Sequence, residues 1–345
     1  MLHVTVGDPD PRLRGEEYGE AVADRLPRIW DAYRSLFQLY AGVDEATALR
    51  TGHEVLDVVD RWRPALRAEM EGLAARGGIA VEAIGALNGR TELVVAAECA
   101  TVGRVRGPEG PWLAQNWDWF LDAPERCVVV STPTYTTFTE VGILAKIGVN
   151  TAGLALSLDI LRHVSDRPSP IGVPIHLLLR EVLGACATVD DVAALLADSP
   201  VSASSCITVV TADGDGACFE VSPAGTARIG PDADGLLSHT NDFCDPLLAV
   251  GERLGLKLPS SCARRADLER LRPTTLAEAR AALASHAAKP VPVCRHGDRS
   301  RPGLPLSGTA ACLLLDPVAG TLDVGAGPPC QATFERFDVA AAADA

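Results

Sequence analysis

The chain changes its periodicity close to residue 99, and this change limits the folds that it can adopt. Apolar residues recur at helical spacing over residues 15–76, with a break at residues 42–44. Further along, runs of β-branched and aromatic residues follow one another and are separated by turn residues, as at residues 150–153. Blocks of helix around hairpins of strands predict an α+β fold made of stacked layers.

The second half of the chain alternates strand and helix signals. Thr188 and Asp191 have the spacing of a capping box, and Thr275 and Glu278 open a helix that we expect to reach residue 288. No internal repeat, low-complexity segment or interdomain linker interrupts the sequence, so we expect one compact domain. The other expected helices cover residues 172–187, 246–255 and 262–271, and the expected strands include residues 204–210, 217–221, 309–316 and 321–324.

Composition and charge exclude several classes of partner. The chain has 345 residues, a formal net charge of -14 and 47% hydrophobic residues, which is ample for a large core. Its longest basic cluster is Arg264-Arg265, so we expect neither nucleic acid nor an anionic membrane as a partner. The sequence contains no run long enough to span a membrane and no secretion signal at its start, and we expect a cytoplasmic protein.

The ten cysteines do not suggest a disulfide scaffold or a metal site. No Cys-x-x-Cys pair exists. The nearest spacing to a ligand pair is Cys294-Arg295-His296, which lacks a second pair and carries a cation between the two ligands. We therefore expect no metal, and we expect most thiols to lie in the core.

One cysteine stands in a more informative context. Cys99 follows the apolar run 93–97 and Glu98, and the strand-like run 112–118 then passes back toward it. A thiol attacks a carbonyl as the thiolate, and a cysteine that becomes the first residue of a chain carries an α-amine with a pKa of about 8 that can act as its base. Taken alone, such a cysteine is usually structural, so the interpretation depends on its neighbours.

Four motifs give the chain a family resemblance. They are Cys99 with Gln115-Asn116-Trp117-Asp118, the glycine-containing hairpin at residues 139–154, the run Ser238-His239-Thr240-Asn241, and Val293-Cys294-Arg295. Together they resemble autoproteolytic cysteine N-terminal-nucleophile (Ntn) hydrolases of the acyl-coenzyme A:6-aminopenicillanate acyltransferase type. The resemblance implies a four-layer αββα sandwich with two stacked antiparallel sheets. It also implies a helical leader, residues 1–98, that becomes the small subunit, and a catalytic domain, residues 99–345, that becomes the large subunit.

The same resemblance implies roles for individual residues. After cleavage of the Glu98–Cys99 bond, Cys99 would be the nucleophile and Asp118 would hold its α-amine. Asn241 would stabilise the oxyanion, and Arg295 would favour the thiolate or bind a substrate carboxylate. The supporting residues would be Asn116, Ser205 and Glu98.

These roles describe an N-acyl amidohydrolase or an acyl-coenzyme A-dependent N-acyltransferase. The substrate would be a small acylated amine, an amino-acid conjugate or a thioester. The enzyme would need no cofactor, although acyl-coenzyme A could be a co-substrate. The two self-derived subunits would remain associated.

Two alternatives stay open at this point. His239 could act as the base for a cysteine nucleophile, as in papain-like proteases, whereas His176 is interpreted as a polar residue near a helix start. The chain could also be an uncleaved, non-catalytic binding protein for an acylated small molecule. That alternative rests on Glu98, because the family usually has glycine at this position and glycine tolerates a strained scissile bond better.

Overall fold

Two β-sheets pack against each other in the computed structural model, which describes residues 1–94, 99–167, 169, 171–253, 260–297 and 306–339. Side chains of both sheets share one large hydrophobic core. The strands, in chain order, are β1 (Leu2–Thr5), β2 (Cys99–Arg104), β3 (Trp112–Phe120), β4 (Cys127–Ser131), β5 (Tyr135–Glu140), β6 (Ile147–Asn150), β7 (Leu154–Ile160), β8 (Ser205–Thr211), β9 (Gly216–Ser222), β10 (Gly225–Ile229), β11 (Leu236–His239), β12 (Ser307–Asp316), β13 (Thr321–Ala326) and β14 (Phe334–Asp338).

The sheets have eight and six strands. The larger has the order β1-β4-β5-β6-β7-β8-β9-β10, and the smaller has the order β11-β2-β3-β12-β13-β14. Among these strands every pairing is antiparallel except that of β1 with β4, which is parallel. Strands β2 and β3 therefore lie inside the smaller sheet and face β7 and β8 of the larger one.

Helices cover the outer faces of both sheets. They are α1 (Pro11–Val22), α2 (Leu26–Ala41), α3 (Glu45–Trp62), α4 (Pro64–Gly77), α5 (Val81–Asn88), α6 (Arg90–Leu93), α7 (Ile175–Ala185), α8 (Val189–Ala197), α9 (Ser260–Leu271) and α10 (Leu276–Leu283). Helices α7 and α8 pack on the larger sheet, and α9 and α10 pack on the smaller sheet. The expected four-layer αββα sandwich is confirmed.

The first 94 residues are bound closely to the rest of the chain. Strand β1 is part of the larger sheet, so this segment is not purely helical as expected. Asn88 donates to the Gly142 carbonyl at 2.9 Å and accepts from the Leu144 amide at 3.1 Å. Arg162 donates to the carbonyl oxygens of Thr91 and Val94, both at 2.8 Å. The N-terminal helices α1 to α5 therefore contribute side chains to the large core that both sheets share.

Buried charges strengthen this interface. Arg90 of α6 lies 2.7 Å from Glu140 of β5, and Lys146 contacts the same carboxylate at 3.4 Å. Tyr33 of α2 donates to the other oxygen of Glu140. Burial would raise the pKa of Glu140, but the charges of Arg90 and Lys146 lower it well below its usual range. Because breaking one partner would leave a buried charge uncompensated, this cluster holds the first segment in place.

Glycines let the N-terminal helices approach closely. A Cβ atom at Gly52 of α3 would lie 1.8 Å from the Glu82 carbonyl oxygen of α5.

We expect Gly52→Ala to lower the free energy of unfolding by about 2 to 3 kcal/mol, because the backbone of α5 cannot move aside as the tip of a side chain can. Urea unfolding monitored by circular dichroism would measure this change. Gly230→Ala is the control, since nothing lies within 4 Å of its Cβ position, and equal effects of both substitutions would contradict the packing argument.

Several expected elements differ from the observed ones. The helix expected at residues 246–255 is a short 3-10 helix, Leu248–Gly251, before residues outside the described part. Helix α10 ends at Leu283 and not at residue 288. Strand β10 is mostly exposed, so its sequence lacks the apolar alternation that would have identified it. The hairpin turn at residues 151–153 and the capping box of Thr188 and Asp191 are confirmed.

In the described ranges, none of the helices combines the length and the apolar character that crossing a membrane would require.

Candidate active site

Cys99 is the first residue of β2 and is only 1% exposed. Its strand pairs with β3 on one side and with β11 on the other, and Trp117 is its partner on β3. Asp118 is the next residue on β3, and Asn241 follows the end of β11. The sheet therefore brings together three residues that are far apart in the sequence and that the motifs had singled out.

Asn241 holds the backbone nitrogen of Cys99. The Cys99 amide donates to Asn241 Oδ1 at 2.7 Å, and Asn241 Nδ2 donates to the Ile160 carbonyl at 2.9 Å. The Asn241 backbone amide donates to Ser261 Oγ at 2.7 Å. Because the Cys99 amide needs an acceptor, these contacts orient the side-chain amide, and Nδ2 retains a second hydrogen for a negatively charged oxygen.

Arg264 of α9 is the residue that sequence reasoning missed. Its guanidinium is fully buried, donates from Nη2 to Asn241 Oδ1 at 3.0 Å and donates from Nη1 to the Cys99 carbonyl oxygen. The sequence analysis noted it only as part of the longest basic cluster. The one sequence signal is weak: Leu268, four residues later, is the only apolar residue on the buried face of α9.

Arg295 lies beside Asp118. Its Nη1 atom is 3.5 Å from Asp118 Oδ2, and the Asp118 side chain is 1% exposed. Arg295 had been expected to favour the thiolate or to bind a substrate carboxylate, whereas Arg264 is the arginine that contacts Cys99 and Asn241. The structure thus places two arginines around the cysteine, one on its own carbonyl group and one on the neighbouring carboxylate.

The Cys99 thiol is held in its neutral form. Burial raises the pKa of Cys99 far above its usual range, and the charges of Asp159 and Asp118 raise it further. A hydrogen bond with the Asp118 backbone and the charge of Arg264 act in the opposite direction. The thiol is also shielded from solvent, because Cys99 is only 1% exposed.

Asp159 is a second unexpected member of this region. It lies on β7, is fully buried, and accepts from Thr101 Oγ1 at 2.7 Å and from Gln115 Nε2 at 3.4 Å. Burial raises the pKa of Asp159 to about 7, although His239 and its hydrogen-bond donors act to lower it. Such a carboxyl can exchange a proton near neutral pH.

His239 is engaged on both ring nitrogens. Nε2 lies 2.9 Å from Glu220 Oε1, and Nδ1 lies 2.8 Å from the Thr240 carbonyl oxygen. Burial would lower the pKa of His239, but hydrogen bonds with Cys244 and Glu220 raise it well above its usual value. A doubly donating imidazolium cannot accept a thiol proton, so this arrangement does not favour His239 as the base.

His176, the other histidine considered above, and the supporting residue Asn116 have other partners. His176 is buried in α7, with Nε2 3.4 Å from Thr91 Oγ1. Asn116 donates to the carbonyl oxygens of Leu283 and Val293 at 2.8 and 3.0 Å, which anchors the segment between α10 and β12. Its role in the structure is therefore to position that segment.

Ser205 does not join Cys99. On β8 it pairs with Ile160 and Val221, whose side chains belong to the core under α7 and α8. Its neighbour Cys206 pairs with Asp159 and therefore faces the other sheet. Glu98 lies outside the described residues.

The fold and site define an αββα sandwich with a buried cysteine at the start of a central strand, the architecture expected of the cysteine Ntn class. Residues 105–329 match the family described as acyl-coenzyme A:6-aminopenicillanic acid acyl-transferase. The chain belongs to this family, which confirms the resemblance carried by the motifs. Acyl-coenzyme A is a co-substrate in this name, in agreement with the expectation that no cofactor is needed.

Individual relatives have related names. The chain is 28% identical over 280 residues to the 40 kDa form of acyl-coenzyme A:6-aminopenicillanic-acid-acyltransferase of Emericella nidulans, covering 79% of this chain and 77% of that one. Penicillin V acylase from Agrobacterium tumefaciens shares 15% identity, with a TM-score of 0.41 and coverage of 71% and 78%. A mutant form of conjugated bile acid hydrolase from Clostridium perfringens shares 12% identity, with a TM-score of 0.37 and coverage of 72% and 85%. These two structural likenesses are too weak to carry an argument.

Proposed function

We propose that this protein forms and breaks amide bonds through an acyl intermediate on Cys99, which becomes N-terminal when the Glu98–Cys99 bond is cleaved. The proposal rests on two hydrogen bonds to the backbone of Cys99. Its amide donates to Asn241, and its carbonyl oxygen accepts from Arg264. Buried peptide groups need partners in any protein, but here both partners are polar side chains that come from distant parts of the chain and also contact each other.

Maturation follows from the chemistry of the uncleaved site. The thiol sulfur attacks the Glu98 carbonyl carbon, the C–N bond breaks, and the nitrogen takes up the thiol proton, giving a thioester and a free α-amine. Water then hydrolyses the thioester, which restores the thiol and leaves Glu98 with a terminal carboxylate. We propose that Asp118, next to the partner of Cys99 on β3, holds the new ammonium group.

In the mature enzyme, the α-amine of Cys99 takes the thiol proton, and the thiolate attacks the acyl carbonyl of the substrate. Asn241 uses its second Nδ2 hydrogen to stabilise the oxyanion, and Arg264 lowers the cost of the thiolate. Arg295, beside Asp118, favours the thiolate or receives a substrate carboxylate. The acyl group then passes to water in an amidohydrolase, or to an amine in an acyltransferase.

We propose that the substrate is an acylated small amine or amino-acid conjugate, or an acyl-coenzyme A thioester with such an amine as acceptor. The names of the family and of the Emericella nidulans relative support this proposal. Suitable probes are acyl-coenzyme A with 6-aminopenicillanic acid as acceptor, and an N-acyl derivative of 6-aminopenicillanic acid for hydrolysis.

We expect purified protein to contain two chains, residues 1–98 and 99–345. By residue share of 36.2 kDa they weigh about 10.3 and about 25.9 kDa. Denaturing mass spectrometry would detect them, and gel filtration should elute both together, because β1 and the Arg90–Glu140 pair join them.

The variant Glu98→Gly should be cleaved at least as fast as the parent protein, since glycine tolerates strain at the scissile bond.

The opposite result defines the alternative function. If the chain stays intact during days of incubation and none of the probes reacts, the protein is an uncleaved binding protein for an acylated molecule. Cleavage without activity toward the probes would instead leave the nucleophile in place and call for other substrates.

A further inference from the structure

Four metal-ligating side chains converge outside the site described above. His286 follows α10, Cys294 and His296 lie on the segment that leads toward β12, and Cys330 lies between β13 and β14. Their ligand atoms all lie within 4.8 Å of one another. We propose that these four residues bind one Zn²⁺ ion as a Cys₂His₂ site.

The separations between the ligand atoms fit a tetrahedral ion. The two His Nε2 atoms are 3.1 Å apart and the two Sγ atoms are 3.5 Å apart. Three of the sulfur–nitrogen distances are 3.3, 3.9 and 4.0 Å. Zinc bonds of about 2.3 Å to sulfur and about 2.0 Å to nitrogen place tetrahedral ligands about 3.3 to 3.8 Å apart.

The donor set favours zinc over other divalent metals. Two thiolates and two neutral imidazoles balance the charge of Zn²⁺, and sulfur with nitrogen in a tetrahedron is typical of zinc. Four protein ligands leave no open position, so the ion would be structural and not catalytic. The second cluster of this kind, Glu220 with His239 and Cys244, is less suitable because both ring nitrogens of His239 already have partners.

The sequence predicted no metal site, because Cys294 and His296 lacked a second pair of ligands and flanked the cation of Arg295. The fold supplies the second pair from His286, ten residues before His296, and from Cys330, 34 residues after it. Arg295 itself points at Asp118 and away from the ligands on either side. The two objections therefore do not hold in the folded chain.

The ion would position Arg295. The Arg295 backbone amide donates to Thr309 Oγ1, and the Thr309 amide donates to the Arg295 carbonyl oxygen, both at 3.0 Å. With ligands on both sides of Arg295, the metal would clamp this exposed segment to the β13–β14 connection and keep the guanidinium beside Asp118. This consequence rests on the proposed function, whereas the metal site itself does not.

Metal analysis of the purified full chain tests the proposal. Protein prepared under reducing conditions, supplied with Zn²⁺ and desalted should hold one zinc per chain by inductively coupled plasma mass spectrometry. Cys330→Ser and His296→Ala should each reduce this at least tenfold. The matched controls Cys262→Ser and His53→Ala, which replace exposed residues outside the cluster, should retain one zinc.

A spectrum of the parent protein avoids dependence on variants that fail to fold. Cobalt(II) added to metal-free protein should give the intense visible bands of a tetrahedral ion and a thiolate-to-cobalt charge-transfer band, both lost in Cys330→Ser. Octahedral cobalt spectra, zinc that persists in Cys330→Ser, or a Cys294–Cys330 disulfide in freshly reduced and refolded protein would each overturn the proposal. Retained activity with full loss of zinc would overturn only the positioning of Arg295.

Discussion

Replacement of Cys99 by alanine is expected to give a single uncleaved chain of 36.2 kDa with no turnover of any probe. The substitution removes the sulfur that attacks both the Glu98 carbonyl and the substrate. It replaces the thiol group by a hydrogen atom and so leaves only a small cavity at this buried position. Mass spectrometry measures the cleavage, and acyl transfer to water or to 6-aminopenicillanic acid measures the turnover.

Cys186→Ala is the matched control, because Cys186 is also buried but lies at the end of α7 in another core cluster. It should be cleaved and active like the parent. A Cys99→Ala protein that turns over a probe at the parental rate would show that another group is the nucleophile.

Replacement of Asn241 by alanine is expected to lower kcat by about 10² to 10³, the usual effect of losing one oxyanion donor. The substitution also removes the acceptor of the Cys99 amide, so cleavage itself should slow down. The rate must therefore be expressed per cleaved large chain, as counted by mass spectrometry, and circular dichroism must show an intact fold.

His239→Gln is the comparison for this experiment. Glutamine can still donate to Glu220, which otherwise would lose its buried partner, and we expect kcat to change by less than about tenfold. A larger loss for His239→Gln than for Asn241→Ala would support a Cys–His mechanism and contradict the Ntn proposal.

The layers of the fold were predicted from the block pattern of helices and strands together with the family resemblance. The grouping of Cys99, Asp118 and Asn241 was predicted from the resemblance alone, and in the structure these residues lie at the ends or in the register of neighbouring strands. The face of a sheet that a side chain joins is harder to predict, because a shift of one residue reverses it. Ser205 and Cys206 differ by one position, and that position decides which face of the sheet the side chain joins.

Arg264 could not be predicted because α9 lacks an apolar stripe. Its buried face consists of Ser260, Ser261, Arg264, Asp267 and Leu268, a pattern typical of a helix exposed to water. Only the tertiary contacts of the guanidinium explain its burial. The proposed zinc site could not be predicted for a related reason. Its four ligands come from loops that are distant in the sequence, and no short motif contains all of them.

Strand β1 has a consequence for how this protein can be made. It forms the edge of the larger sheet by pairing with β4, so a large chain produced without residues 1–98 would present β4 as a bare edge. Unpaired edges recruit other chains, and such a product is expected to aggregate when expressed alone. If the chain is cleaved as we propose, its two parts therefore have to be translated as one polypeptide, with β1 acting as an intramolecular chaperone that remains in the finished product.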